Sequence, residues 1–305
     1  MHAVSEASSW LQYIVSDAIR VIVNDIIAET AQGIADMTIR GAGRIARAGA
    51  SALGEFADAY TGTDPEDFKR DLSEASRRIL DSRPTAVSLW NAVHATVRGV
   101  DSARSVSDIK ALVRANADEF CFRSEKAVEM IATIGAKRIE DGDTVFLSYG
   151  TTTLEVARHM KHKKNVTVIT NSVFIVMELA NCRDITTYCL GGRVREGDMS
   201  TSGALAEQNM RFFNVNKVIA GVGGITPELG LMDTQMDESG LLQAYISSVG
   251  CVIAVCDHSK LGNVTTYNIC PANKLTHLVT DSGSPRGDLD AYRAMGISVH
   301  VAQLD

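Results

Sequence analysis

Two segments set far apart in this chain have the composition of anion sites. Near the start, Thr38-Ile39-Arg40-Gly41-Ala42-Gly43-Arg44 puts a guanidinium beside a backbone kept bare by two glycines. In the middle, Ser148-Tyr149-Gly150-Thr151-Thr152-Thr153 places a glycine and three consecutive threonines where an apolar run gives way to a helical pattern. Exposed N–H groups at a helix start, backed by the helix dipole, attract phosphate. Arginine suits phosphate because its planar fork donates two parallel hydrogen bonds. Two such segments point to a small phosphorylated ligand, one with two charged ends among the options. Threonine also caps helices, but three in a row exceed what capping needs, so Gly150, Thr151, Thr152 and Thr153 read as phosphate-binding. Asn171 and Ser172 have a similar placement, and capping explains them nearly as well.

Candidates for proton transfer are fewer. Asp237 and Glu238 open a predicted helix downstream of Gly223-Gly224. Acids in a first helical turn ordinarily complement the dipole; the functional alternative is a general base that moves a proton between adjacent sugar carbons. Cys189, just ahead of Leu190-Gly191-Gly192, reads as packing, with a reactive thiol as the other option. Gly191-Gly192 and Gly223-Gly224 fit either close ligand approach or tight turns.

Composition limits the classes. The chain has 305 residues, 45% apolar and 22% charged, with a net charge of −7. That charge argues against direct nucleic-acid binding through a basic face. No run of about 18 apolar residues suggests a membrane span. The partly apolar stretch from Trp10 to Ile27 is broken by Asp17, Arg20, Asn24 and Asp25, and it lacks the basic leader and cleavage site of a signal peptide. None of the six cysteines forms a Cys-x-x-Cys pair, and none lies at zinc-like spacing from a histidine. Neither a metal nor a cofactor is expected, and reduced cysteines fit a cytoplasmic location. Cys251 and Cys256 are expected inside a buried strand.

The elements that must position these residues fall into two halves, 1–140 and 141–305. Residues 8–138 read as helical, with apolar residues at three-to-four spacing in Ile34, Met37, Ile45, Ala46 and Leu53 and again in Leu72, Ile79 and Leu80. Thr63-Asp64-Pro65-Glu66 is a helix start, and Arg83-Pro84-Thr85 is a break. From Asp141-Gly142-Asp143 onward, apolar runs at 144–147, 166–170, 185–190, 217–222, 251–256, 277–280 and 297–301 alternate with helical segments at 152–161, 172–181, 203–213, 236–248 and 287–295. Near-continuous apolar strands separated by helices predict an α/β fold, a doubly wound and mostly parallel sheet behind a helical N-terminal lobe. Ligands of such sheets bind beyond the carboxyl ends of the strands. Glycine-containing loops at 148–153, 191–193, 221–224 and 257–262 lie at those ends.

Two family resemblances refine this. Ile39-Arg40-Gly41-Ala42-Gly43-Arg44-Ile45-Ala46-Arg47, Ser82-Arg83-Pro84-Thr85-Ala86-Val87-Ser88-Leu89 and Gly135-Ala136-Lys137-Arg138-Ile139-Glu140-Asp141-Gly142-Asp143 resemble ribose-1,5-bisphosphate isomerases, relatives of the regulatory subunits of translation initiation factor two-B. That resemblance implies that Arg40, Gly41, Ala42 and Gly43, with Arg83 and Thr85, surround a sugar phosphate. Gly150-Thr151-Thr152-Thr153-Leu154-Glu155-Val156-Ala157, Val168-Ile169-Thr170-Asn171-Ser172, Leu190-Gly191-Gly192-Arg193-Val194-Arg195 and Asp257-His258-Ser259-Lys260-Leu261-Gly262 resemble the sugar-phosphate sensor domain of deoxyribose-operon-type repressors. It raises Lys260 from an ordinary surface lysine to a phosphate contact. Both resemblances imply a Rossmann-like fold. The winged helix-turn-helix of the repressors is not found, its place being taken by the helical lobe.

The departures are specific. The isomerases' catalytic cysteine lies in a Thr-His-Cys-His segment that reads Leu147-Ser148-Tyr149-Gly150 here, and their essential aspartate lies in a Gly-Ala-Asp-Ser-Ile segment that reads Gly221-Val222-Gly223-Gly224-Ile225. The resulting expectation is a cytoplasmic, homo-oligomeric protein that binds a small phosphorylated sugar. Its activity is an aldose–ketose isomerase reaction run without that cysteine and aspartate, or it is a non-catalytic sensor or initiation-factor-like regulatory subunit.

Overall fold

The computed structural model of the chain describes residues 25–195 and 198–304, apart from the side chains of Asp237 and Glu238. Two compact units divide between Ser124 and Glu125. The first is helical. It holds α1 (residues 25–35), α2 (Ala42–Ala59), α3 (Pro65–Asp81), α4 (Val87–Thr96) and the first part of α5 (Val106–Ala136). Residues 8–24 of the expected helical stretch lie outside the described residues. Asp64 caps α3 as its spacing predicts, accepting from the backbone N–H groups of Glu66 and Asp67 at 2.8 and 3.1 Å, with Pro65 at the first helical position. The break at Arg83-Pro84-Thr85 separates α3 from α4. Leu53, Phe68, Leu72, Ile79, Leu89 and Ile109 form the core of this unit, and each such side chain withdrawn from water contributes about 1.5–3 kcal/mol.

The second unit is a seven-stranded sheet whose paired strands all run parallel: β1 (Thr144–Leu147), β2 (Val166–Thr170), β3 (Ile185–Cys189), β6 (Lys217–Ala220), β9 (Val252–Val255), β11 (His277–Asp281) and β12 (Ser298–Ala302). Their order across the sheet is β12-β11-β9-β6-β1-β2-β3. All seven expected strands are present. Helices α6 (Thr151–His159), α7 (Val173–Leu179), α8 (Ala204–Met210), α9 (Met236–Ser248) and α10 (Arg286–Ala294) occupy the five expected helical segments. Alternation along β1 divides the core. Phe146 stacks on Tyr245 of α9 at 4.4 Å, within a cluster that also takes residues from α8 and α10. Val145 and Leu147 point to the other face, into a cluster with the later part of α5, α6 and α7. Burial on both faces is why these strands read as continuous apolar runs.

Three differences from expectation are local. Cys251 and Cys256 flank β9 instead of lying within it. Strand β6 ends at Ala220, which leaves Gly221-Val222-Gly223 as loop. A second, antiparallel sheet has no counterpart in the sequence reading: β7 (Gly224–Thr226) and β10 (Tyr267–Cys270) flank β8 (Gly230–Asp233). Its strands are too short to show alternation. Two further two-residue strands, β4 (Arg193–Val194) and β5 (Thr201–Ser202), pair with each other.

The amino ends of β1 and β6 are tied through Asp143. Its carboxylate accepts from Lys217 Nζ at 2.7 Å, Asn216 Nδ2 at 2.6 Å and the Glu140 N–H at 2.7 Å, while Asn216 Oδ1 accepts from Thr144 N at 2.9 Å. Burial pushes the Asp143 carboxyl up, but the hydrogen bonds from Lys217, Glu140 and Asn216 outweigh it and hold it below the ordinary value. Asp143→Ala is expected to lower stability by about 3 kcal/mol, the low end for a broken buried pair because Glu140 still reaches Lys217. A group held below its unfolded value stabilises above that value and loses its contribution as pH falls through the folded one. Urea unfolding should therefore show the full difference at neutral pH and a shrinking one below about pH 4.

Candidate functional site

Strand β1 has β2 on one side and β6 on the other, so chain connections diverge at its carboxyl end, the usual ligand position of a doubly wound sheet. The diverging strands are cross-linked there. Ser148 N–H donates to Ile219 O at 3.1 Å, and Ser148 Oγ accepts from Gly221 N–H at 2.9 Å. Next to it, Tyr149 N–H donates to Asn171 Oδ1 at 3.2 Å, and Asn171 Nδ2 donates to Thr201 O at 3.3 Å. The glycine loops expected at strand ends thus follow β1, β3, β6 and β9.

Helix α6 begins at this point on Gly150, whose φ of 142° and ψ of 163° suit glycine alone. No side chain caps the helix, and its first intrahelical bond runs from Leu154 N–H to Gly150 O at 3.0 Å. The N–H groups of Thr151, Thr152 and Thr153 precede that bond and point out of the helix start. Thr153 is buried and its hydroxyl donates back to Gly150 O at 3.1 Å, while Thr151 and Thr152 are half-buried. Helices α8, α9 and α10 also lack side-chain caps; α6 differs in opening at the divergence of the sheet. Ser172 by contrast caps α7, its Oγ accepting from Ile175 N–H at 3.4 Å.

Across the same loops lies a group of residues that the sequence reading did not single out. Asp233 closes β8 and is only 5% exposed. Tyr149 Oη donates to its carboxylate, 3.3 Å from Oδ1 and 3.4 Å from Oδ2, and the Thr234 and Gln235 N–H groups donate to Oδ1 at 2.6 and 3.2 Å. The Arg195 guanidinium lies 5.0 Å from the Tyr149 ring centroid and pairs with Asp198. Burial raises the Asp233 carboxyl above its ordinary value, against the opposing N–H donors and the charge of Arg195. A Cβ placed on Gly223 would come within 3.3 Å of Asp233 Cα, so the backbone at Asp233 lies directly beside the segment where the isomerase pattern has its aspartate. The sequence signal is slight: Asp233 follows the short apolar run Leu231-Met232, and only the structure shows that its carboxylate is buried.

The remaining candidates are distributed. Lys260 follows β9, the strand next to β6, and its loop is tied to this region by Asn263 Nδ2 donating to Gly223 O at 2.9 Å and Gly262 N–H to Ile225 O at 2.9 Å. Asp237 and Glu238 are in the first turn of α9, and their side chains lie outside the described residues. Cys189 ends β3 exposed, not packed as expected, and desolvation of its thiol raises its pKa, which disfavours the thiolate. Arg40, Gly41, Ala42, Gly43, Arg83 and Thr85 belong to the helical unit. Gly41, with φ of 81°, starts α2 and Ala86 starts α4, both without a side-chain cap, so each arginine stands shortly before a bare helix start. Arg40 Nε donates to Met37 O. Among the described residues no group of three or more His, Cys, Asp or Glu is arranged to hold a metal, and no helix is long and apolar enough to cross a membrane.

Comparison with known proteins places the chain in a family. Residues 123–282, more than half of the chain, match the family described as the DeoR C terminal sensor domain, and the chain belongs to that family. Residues 38–174 match the initiation factor 2 subunit family. Over 163 residues the chain is 38% identical to the transcriptional repressor AccR of Agrobacterium fabrum, covering 53% of this chain and 62% of AccR. Over 121 residues it is 46% identical to the ribose 1,5-bisphosphate isomerase of Methanocaldococcus jannaschii, covering 40% of this chain and 38% of the isomerase. The chain therefore spans less than two thirds of either relative. In fold it is similar to the translation initiation factor eIF-2B delta subunit from A. fulgidus, with a TM-score of 0.60 at 18% identity over 83% of this chain and 86% of that one.

Because the Asp233 carboxyl lies above its unfolded value, ionising it costs stability, and that cost is absent in acid and grows as pH rises above the unfolded value. Asn at 233 keeps an acceptor for the Thr234 and Gln235 N–H groups while removing the charge. Asp233→Asn is expected to melt above the wild type at pH 7–8 and to converge with it near pH 4, as followed by circular dichroism.

Proposed function

We propose that this chain, a member of the DeoR sensor-domain family, binds a small phosphorylated sugar and interconverts its aldose and ketose forms. The observation that carries the binding is the start of α6, a glycine-initiated and uncapped helix terminus at the divergence of β1 and β6. The phosphate takes the N–H groups of Gly150, Thr151, Thr152 and Thr153, with Asn171 and Ser172 shaping the neighbouring loop and Lys260 adding a cation. In the helical unit, Arg40 with Gly41, Ala42 and Gly43, and Arg83 with Thr85, bind phosphate through guanidinium and bare helix starts. The net charge of −7 suits a small anion held by local donors better than a nucleic acid held by a basic face.

Isomerisation through a cis-enediol needs a carboxylate near the carbon-bound proton and no Lewis acid. Asp233, which Tyr149 contacts at the loop after β1, can supply that carboxylate, and Asp237 and Glu238 follow it in the chain as further candidates. Kinship with an isomerase supports this reaction. The second reading is a sensor or initiation-factor-like regulatory subunit that binds the same ligand without turnover. Membership of a sensor family, together with the tyrosine and glycine that replace the cysteine and aspartate of the isomerase pattern, favours it. A homo-oligomer in the cytoplasm, without resident metal or cofactor, is the setting we assign to either.

Calorimetry against pentose and tetrose phosphates tests binding. Arg40→Ala and Arg83→Ala should each weaken it about tenfold to a hundredfold, the worth of a charge-assisted hydrogen bond of about 1.5–3 kcal/mol. Thr151→Asp places an acid in the first turn, where the dipole favours it, yet sets it against the phosphate. That variant should keep its melting temperature and lose at least about tenfold in affinity. Chelator should change neither. Tight binding that survives all three substitutions would remove these residues from phosphate binding.

A further inference from the structure

The buried carboxylate of Asp233 and the phenol of Tyr149 form a pair that the packing of this unit does not require. Asp233 is carried by β8 and Tyr149 by the loop after β1, and they are 84 residues apart in the chain, so their contact is made by tertiary structure alone. Both are held rigidly. The Tyr149 backbone is pinned through Asn171, its neighbour Ser148 is pinned to Gly221, and Asp233 takes two backbone N–H donors that fix its rotamer. Arg195 sits against the tyrosine ring and is itself fixed by Asp198. Tyr149 directly precedes Gly150, the residue on which the phosphate-binding helix starts. The phosphate site proposed above and Tyr149 are therefore neighbours in the chain, and Tyr149 carries the contact to Asp233.

The geometry points to Tyr149 and Asp233 as the proton-transfer pair of an aldose–ketose isomerisation at this crevice, acting on a phosphorylated sugar with a carbonyl next to a hydroxyl-bearing carbon. The inference rests on the isomerase reading above. The Asp233 carboxylate takes the proton from the hydroxyl-bearing carbon, and the electron pair of that C–H bond forms the carbon–carbon double bond. The carbonyl π pair takes the Tyr149 proton, giving a neutral cis-enediol, a phenolate and a protonated Asp233. The phenolate then takes the proton from the other hydroxyl as the new carbonyl forms, and Asp233 returns its proton to the neighbouring carbon. Both side chains end as they began, and one carbon is reduced as its neighbour is oxidised, so no external oxidant or reductant is needed. Burial strengthens Asp233 as a base by favouring its protonated form. Arg195 acts as a positioning residue that keeps the tyrosine ring facing the carboxylate.

The test is solvent deuterium incorporation into ribose 5-phosphate, ribulose 5-phosphate and erythrose 4-phosphate, read by NMR, with binding of each measured by calorimetry. Wild type is compared with Asp233→Asn, Tyr149→Phe, Asp237→Asn and Glu238→Gln. Exchange should fall about 100-fold to 10,000-fold in Asp233→Asn, the usual cost of losing a positioned base. In Tyr149→Phe, conversion between the carbonyl forms should fall at least about tenfold, with proton exchange at carbon less affected. Binding should stay within about threefold in both, because the phosphate contacts lie elsewhere. Exchange that persists in Asp233→Asn, or that is lost in Asp237→Asn or Glu238→Gln instead, overturns the pair and leaves the isomerase reading standing. A wild type that binds one of these sugars tightly and exchanges no proton overturns the isomerase reading, and the pair with it.

Discussion

The divergence of the parallel sheet at the carboxyl end of β1 is the constraint on which the rest of the second unit depends. Parallel strands pair through crossovers that lie on the faces of the sheet, so both faces must be covered and one pair of neighbouring strands must send its connections apart. Here that pair is β1 and β6, and the gap it leaves is bridged by Ser148 and Gly221. A serine side chain replaces a ladder bond where the backbones part. This single contact fixes the start of α6 on one side and the Gly221-Val222-Gly223 loop on the other. Every feature of the crevice hangs from one of these two.

Glycine and small polar residues dominate the crevice for a steric reason. Gly150 has a backbone angle closed to other residues, and Gly223 has Asp233 packed against it. Several of the side chains that are admitted are polar and hydrogen-bonded, as Tyr149 is to Asp233 and Ser148 to the Gly221 N–H. Such a surface offers backbone donors to an anion without the cost of ordering long flexible side chains, which is how helix termini bind phosphate. In the helical unit, arginines stand just before bare helix starts.

Kinship runs in two directions along the chain, toward sensor domains over residues 123–282 and toward the initiation factor 2 subunit family over residues 38–174. The two ranges overlap on β1, α6 and β2, which include the uncapped helix start on Gly150. The start of α6 is thus part of the architecture common to both. The antiparallel sheet of β7, β8 and β10 lies beyond that overlap, and it brings Asp233 to the crevice.

Local order was legible in the amino-acid sequence. All seven strands of the main sheet could be placed from their apolar runs, because strands buried on both faces must be apolar at nearly every position. Asp64 before Pro65 marked a helix start because capping depends on residues within one turn. Gly150 and the threonines after it were recognisable for the same reason. The pairing of Tyr149 with Asp233 was not, since it joins residues 84 positions apart through a hairpin whose strands are too short to leave a periodic trace. The carboxylates that the sequence favoured, Asp237 and Glu238, were chosen by proximity along the chain to Gly223-Gly224. Proximity in space is set by tertiary structure alone, and it puts a buried acid from β8 against the loop after β1.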